Sequence, residues 1–218
     1  MNQPLSTQEI TSAVSESVQQ DVGDIRTRVR DLTLRALQTR RLEAEEIREV
    51  VRAVAEGVSL GAEHRVGEVK QALASALSGL DDALAKAAQA THLALQELLS
   101  KSRDFTDQDL KHALDDLKIT EQALLDTLGQ VADAAGSKIR QELKDAVEHT
   151  RRSGTDTGAS VKATLSELGS RLSATLQVSK TAGQEAAHTL SGRLAALASG
   201  ILAGMAEALR GKSEPGQK

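Results

Sequence analysis

Five histidines, His64, His92, His112, His149 and His188, are the side chains here whose ordinary pKa suits proton transfer near neutrality. They are scattered. None stands four residues from another, the helical spacing that brings two imidazoles to one metal, and no HExxH, CxxC, Walker-type or GxGxxG pattern occurs. The adjacent acids Glu45-Glu46 and Asp115-Asp116 point away from each other on a helix, as solvated surface pairs do. Cysteine is absent, which removes a thiol nucleophile and a disulfide framework and fits a reducing cytoplasm. The expectation is a protein that is not an enzyme, with no catalytic, cofactor-binding or metal-ligating residues and no cofactor.

What the chain has instead is a period. From Val14 to Leu209 it returns every eleven residues to an apolar side chain at three linked positions. Eleven residues span three helical turns, so the three positions make one nearly straight stripe, about 65° wide on a helical wheel. Its sites include Val14, Val18, Ile25, Val29, Ile47, Val51, Val58, Val69, Leu73, Leu80, Leu84 and Leu95. Further on come Leu117, Leu128, Ile139, Val161, Leu165, Leu172 and Leu176. Only Arg40 and Glu121 are charged along the stripe, where random placement would charge roughly a quarter of the sites. These residues are the expected helix-seam contacts.

Composition agrees. Trp and Tyr are absent, Phe105 is the sole aromatic, and Pro4 and Pro215 lie at the extremes, so nothing between them forbids helix. Without large aromatic side chains a thick globular core is not expected. The fold class predicted is all-α, with very long amphipathic helices on an 11-residue repeat, arranged as an elongated hairpin or bundle or as a rod. A single unbroken helix would reach about 300 Å. The formal charge of −4 is small and mixed in sign, which argues against nucleic acid as a partner. Arg26, Arg28, Arg30, Arg35, Arg40, Arg41, Arg48 and Arg52 interleave with Asp21, Asp24, Asp31, Glu43, Glu45, Glu46 and Glu49, a pattern of i,i+4 ion pairs. The opening MNQPLSTQEI has no apolar h-region, so no secretory leader is expected. The longest near-apolar run, Leu194 to Ala206, is shorter than the roughly 20 residues of a transmembrane span.

Residues 1–6 read as a disordered tail, and Ser6-Thr7-Gln8-Glu9 as a capping box opening a helix over 7–99. Its glycines place a bend at 57–67. The stripe and helix-friendly composition fail together twice, predicting a turn at 100–106, with Asp104 or Thr106 as the next cap, and a flexible break at 151–158. Helices are expected over 107–150 and 159–210, and a disordered tail over 211–218. The eleven-residue count nevertheless keeps its phase through both breaks. From Ser153 the polar face turns to Ser, Thr, Gly and Gln, and the last helix is the most apolar. There Leu194, Leu197, Gly200, Ile201, Gly204 and Met205 are candidates for surface insertion or for close helix packing, the Gly200/Gly204 pair permitting near backbone approach.

One amphipathic helix cannot cover its own stripe, so the sequence predicts a partner: copies of itself, an apolar granule, or a lipid surface. The seam and its Ser/Thr/Gly-rich face from 153 onward resemble phasins, perilipin-type droplet coats, exchangeable apolipoproteins and group 3 late-embryogenesis-abundant proteins. The likeness covers periodicity and composition over most of the chain. Phasins share the near absence of Cys and Trp and the Ala/Leu richness. The resemblance implies a non-enzymatic coat on an apolar granule or lipid surface, or a scaffold there, cytoplasmic or peripheral on granules or membranes. A soluble self-associating coiled coil with a structural or stress-protective role is the alternative, and a partner-binding adaptor a third.

Overall fold

The computed structural model describes residues 5–20, 22–40, 44–65, 67–101, 107–175 and 187–213. Within them lie eight helices: α1 (Thr7–Gln19), α2 (Val22–Gln38), α3 (Ala44–His64), α4 (Val69–Lys101), α5 (Asp107–Ala134), α6 (Arg140–Ser153), α7 (Asp156–Thr175) and α8 (Ala187–Ser213). No strand occurs among the described residues. The first long helix expected over 7–99 is therefore four helices. The longest, α4, has 33 residues, about 50 Å.

Some helix ends are set by local residues and others by side chains far along the chain. At α1, the Glu9 amide donates to Ser6 Oγ at 3.2 Å and the Ser6 amide to Glu9 Oε2 at 2.8 Å, closing the capping box. The Ser6 backbone bond, then the hydroxyl bond, hold the Glu9 carboxyl below its usual 4.5. At the end of α1, Arg65 Nη1 donates to Val18 O at 2.5 Å and Gln20 O at 2.6 Å, satisfying carbonyls that the helix leaves open. Gly57 and Gly61 lie within α3, which runs to His64. The break comes after it, where Gly67 and Glu68 take φ of +76° and +49°. The helix expected over 107–150 is divided at Ala135–Ile139, around Gly136. The break expected at 151–158 is confined to Gly154 and Thr155, with Gly154 at φ +82°. Helix α8 extends to Ser213, three residues into the expected tail. Residues 1–4, the turn candidates 102–106, Leu176 and residues 214–218 lie outside the described residues.

The chain runs up and down in two layers. Thr11 Oγ1 donates to Ala53 O at 3.0 Å, while Gly57 faces Val14 and Gly61 faces Val18, so α1 and α3 are parallel. Helix α5 joins them: its end lies beside the end of α3, with the Gly136 amide 2.7 Å from Glu63 Oε1. In the other layer α4 parallels α7, with Asp81 bonded to Thr157 and Gln96 to Glu167. Helix α6 returns antiparallel to α5 through Lys144–Asp133 and Arg151–Asp126. Helix α8 crosses back over α2 and α4, its Ser199 hydroxyl 2.8 Å from Arg40 O.

Most of the described stripe sites lie in the interior of this array, together with off-stripe residues such as Ile10, Leu34, Leu37, Val50, Val54 and Leu202. Val14, Val18, Ile25, Val29, Ile47, Val51, Val58, Leu73, Leu80, Leu84, Leu95, Leu117, Leu128, Ile139 and Val161 are buried. Val69 is half-buried against the same core, and Leu165 is half-buried against smaller clusters. The partner that the stripe requires is thus the rest of the chain. The two charged interruptions stand at the margin: Arg40 bonds Glu49 and Leu5 O, and Glu121 accepts from Thr155.

The buried faces are wider than the stripe, and small residues let them approach closely. A methyl on Gly57 would lie 2.6 Å from Thr11 O, and one on Gly61 2.6 Å from Ser15 O. Gly57→Ala and Gly61→Ala should therefore each force α1 from α3 and cost about 1–3 kcal/mol in urea unfolding, overpacking against backbone being hard to relieve. A neutral result would mean that the two helices stand further apart. Ser6→Ala should return Glu9 toward 4.5 in an NMR titration. Because the folded value is depressed, the carboxylate's stabilisation is complete above 4.5 and is lost as pH falls through the folded value.

Candidate apolar contact surface

On the described surface, most outward helix faces carry charge. Helix α6 exposes Arg140, Gln141, Lys144, Asp145, Glu148, Arg151 and Arg152. Helix α8 differs. Its inner side is an i,i+4 row, Ala198, Leu202 and Ala206, all buried against the α2–α4 pair. Leu194, Ile201, Met205 and Leu209 are half-buried along its flanks. The positions described as exposed from 196 to 208 are Ala196, Leu197, Gly200, Gly204, Glu207 and Ala208, with one charge among them. Leu197 is 36% exposed.

The structure therefore separates the six candidates of this helix. Leu194, Ile201 and Met205 serve internal packing in part, while Leu197, Gly200 and Gly204 face outward. No heavy atom lies within 4 Å of a methyl built on Gly200 or Gly204, so this glycine pair packs no helix within the chain. The close-packing role falls to Gly57 and Gly61, and to Gly79 against the backbone of Arg26 and Arg30. Of the C-terminal seam sites, Leu172 lies in α7 but its side chain is not described.

A second feature joins residues that no spacing or motif links along the chain. His92 Nε2 lies 3.3 Å from Glu167 Oε2, and Gln96 Nε2 donates to Glu167 Oε1 at 2.7 Å. His92 and Glu167 edge a groove of about 520 Å³ between α4, α7 and α8, walled by Leu93, Ala159, Ala163 and Met205. His92 Nδ1 is buried without a partner, so it does not face a ligand in the groove. The nearby Thr164 hydroxyl donates to Ser160 O at 2.9 Å rather than to a base. Among the described residues, no three His, Asp or Glu side chains converge as a metal would need. The pair clasps two helices.

Fold and surface together define an all-helical, two-layered array closed by an apolar C-terminal helix. Among the described residues no helix is long and apolar enough to cross a membrane. Residues 1–211 match a family of unknown function, DUF6781, and the chain belongs to that family. No curated protein and no solved structure matches it.

Because Gly200 and Gly204 face open space, Gly200→Ala and Gly204→Ala should each raise stability, by up to about 1 kcal/mol, through helix propensity alone. Calorimetry checks this. A lowered melting temperature would reveal a neighbour against that face.

Proposed function

We propose that this protein is a non-enzymatic, phasin-like coat or scaffold that meets an apolar granule or lipid surface through the outward face of α8. The observation that carries the reading is the near absence of charge on that face, where Leu197, Gly200 and Gly204 are exposed together. Exposed apolar positions grouped on one helix mark an interaction site more often than scattered ones do. Gly200 and Gly204 keep the face low, so Leu197 and the half-buried Ile201 stand proud of it.

Burial of the stripe within the chain bears on the alternative. A soluble coiled coil formed between copies was motivated by an uncovered seam, and from Ile10 to Val147 the seam is already covered. Leu60 of α3, Leu93 of α4 and Ile119 of α5 are also exposed, each on a different helix, whereas the exposed positions of α8 are grouped with one charge among them. That supports the coat over the coiled coil.

Flotation of the purified protein with polyester or neutral-lipid particles tests the reading. The wild-type chain should rise with the particles, and Leu197→Asp with Gly204→Asp should cut the bound fraction about tenfold, a charge on the contact face costing more than about 1.4 kcal/mol. Wild-type protein left wholly in the soluble fraction would sink the proposal.

A further inference from the structure

Most of the buried apolar residues fall into three groups of unequal size. The largest draws on α1 to α6 and, through Leu202 and Ala206, on α8. No described residue of α7 belongs to it. Leu168 of α7 packs instead with Leu95, Leu110 and Leu114, and Val161 with Ala88 and Leu117, in two satellite groups. The elements before and after α7 are thus anchored in the main core, and α7 is held beside it. Segments with little buried apolar surface open at lower free energy than the core they adjoin.

The polar attachment of α7 is concentrated at its first turn. Asp81 of α4 accepts from the Asp156 amide at 2.7 Å, from the Thr157 amide at 3.0 Å and from the Thr157 hydroxyl at 2.6 Å. Thr155 donates to Glu121 of α5 at 3.0 Å and accepts from the Gly158 amide at 2.7 Å. A carboxylate from another helix therefore satisfies amides that α7 cannot satisfy itself, and favours the positive end of its dipole. Just upstream, Gly154 sits exposed at φ +82° with nothing near its α-carbon. Cap and dock are one interaction, so losing it weakens both.

We propose that α7 opens separately from the rest of the array, latched by Asp81, and that its inward ridge, Val161, Leu165 and Leu168, is a concealed contact surface for a zwitterionic lipid interface. The ridge follows the i, i+4, i+7 spacing of a helix lying flat on such an interface. Charge selects the lipid: the described exposed residues of α7 carry Asp156, Lys162 and Glu167, a net negative charge, among Ala159, Ala163 and Ser166. Such a face gains nothing from an anionic headgroup layer. The lipid part rests on the reading of the chain as a surface protein; the latch does not.

Hydrogen exchange on the full chain, without lipid, tests the latch. Amides of α7 should exchange at least about tenfold faster than those of α3 and α4. Asp81→Asn should speed α7 by about a further fivefold, the usual effect of a weakened cap, and leave α3 unchanged. Thr157→Val, which removes one of the three bonds, should do the same more weakly. Protection of α7 equal to that of α4, or equal acceleration of α3 and α7 by Asp81→Asn, would overturn it.

The lipid surface is tested with Ala88→Cys and Val161→Cys, new thiols in a chain that has no others. The reduced protein should float with phosphatidylcholine vesicles, and the disulfide-closed protein should bind them at least about fivefold less, its ridge being held inward. Equal binding of both forms would overturn the concealed surface while leaving the outward face of α8 in place. Binding by neither form would overturn both.

Discussion

The array depends on one constraint: a core without aromatic side chains must be thin, so the helix backbones must come close. Phe105 is the only aromatic residue in the chain, and the buried interior is made of Ala, Val, Leu and Ile. A stripe about 65° wide covers little of a helix at ordinary separation. Gly57 and Gly61 let α1 settle onto α3, Gly79 lets α2 settle onto α4, and Ala72, Ala76, Ala83, Ala87 and Ala90 line the buried side of α4. Each helical glycine costs up to about 1 kcal/mol in propensity. That cost is offset by stronger dispersion attraction between helices packed at the shorter separation.

Short connections follow from the same closeness, and side chains distant in sequence close many of the helix ends. Arg65, from the turn after α3, caps the end of α1. Lys138, from the turn after α5, donates to Glu63 O and Arg65 O at the end of α3. The same device recurs one hairpin later. Ser199 closes the end of α2 and Asp81 the start of α7. Bidentate Arg26–Asp82 bonds tie α2 to α4 beside Asp81, and the Asp82 hydrogen bond raises the Arg26 pKa further. Such caps fix the register between neighbours that apolar packing alone leaves free to slide.

This explains what the sequence could and could not say. The stripe was legible because a helix must present its apolar side chains in one direction, whatever lies there. It did not say that the covering surface was the same chain, since a hendecad seam looks alike against a sister helix, a sister copy or a lipid. Its phase survived the breaks in that most of the buried seam sites of α1 to α6 enter one main core. The reversals at Gln20 and after Arg40 were invisible: neither has a proline, and their carbonyls are capped by Arg65 and Ser199, residues far along the chain. The capping box at Ser6 was legible because both its partners are local. In α8 the uncharged run was legible and its orientation was not. Which of Leu197, Ile201 and Met205 faces outward depends on the α2–α4 groove beneath.

The outward face of α8 is small for the surface contact proposed for it, and that size constrains the proposal. Full burial of one leucine gains about 1.5–3 kcal/mol, and alanines and glycines add little. Association costs at least several kcal/mol in lost translation and rotation before any surplus appears. Leu197 with its half-buried neighbours therefore supports a reversible encounter rather than lasting adsorption. A longer-lived attachment needs more apolar side chains, and the main core cannot give up its own without unfolding α1 to α6. Among the described residues, α7 is the helix whose buried apolar side chains all lie outside that core. In the proposed reading, an initial contact by α8 with later recruitment of Val161, Leu165 and Leu168 would let the chain keep its main core intact and still hold to an apolar surface, because the residues that add affinity lie outside that core.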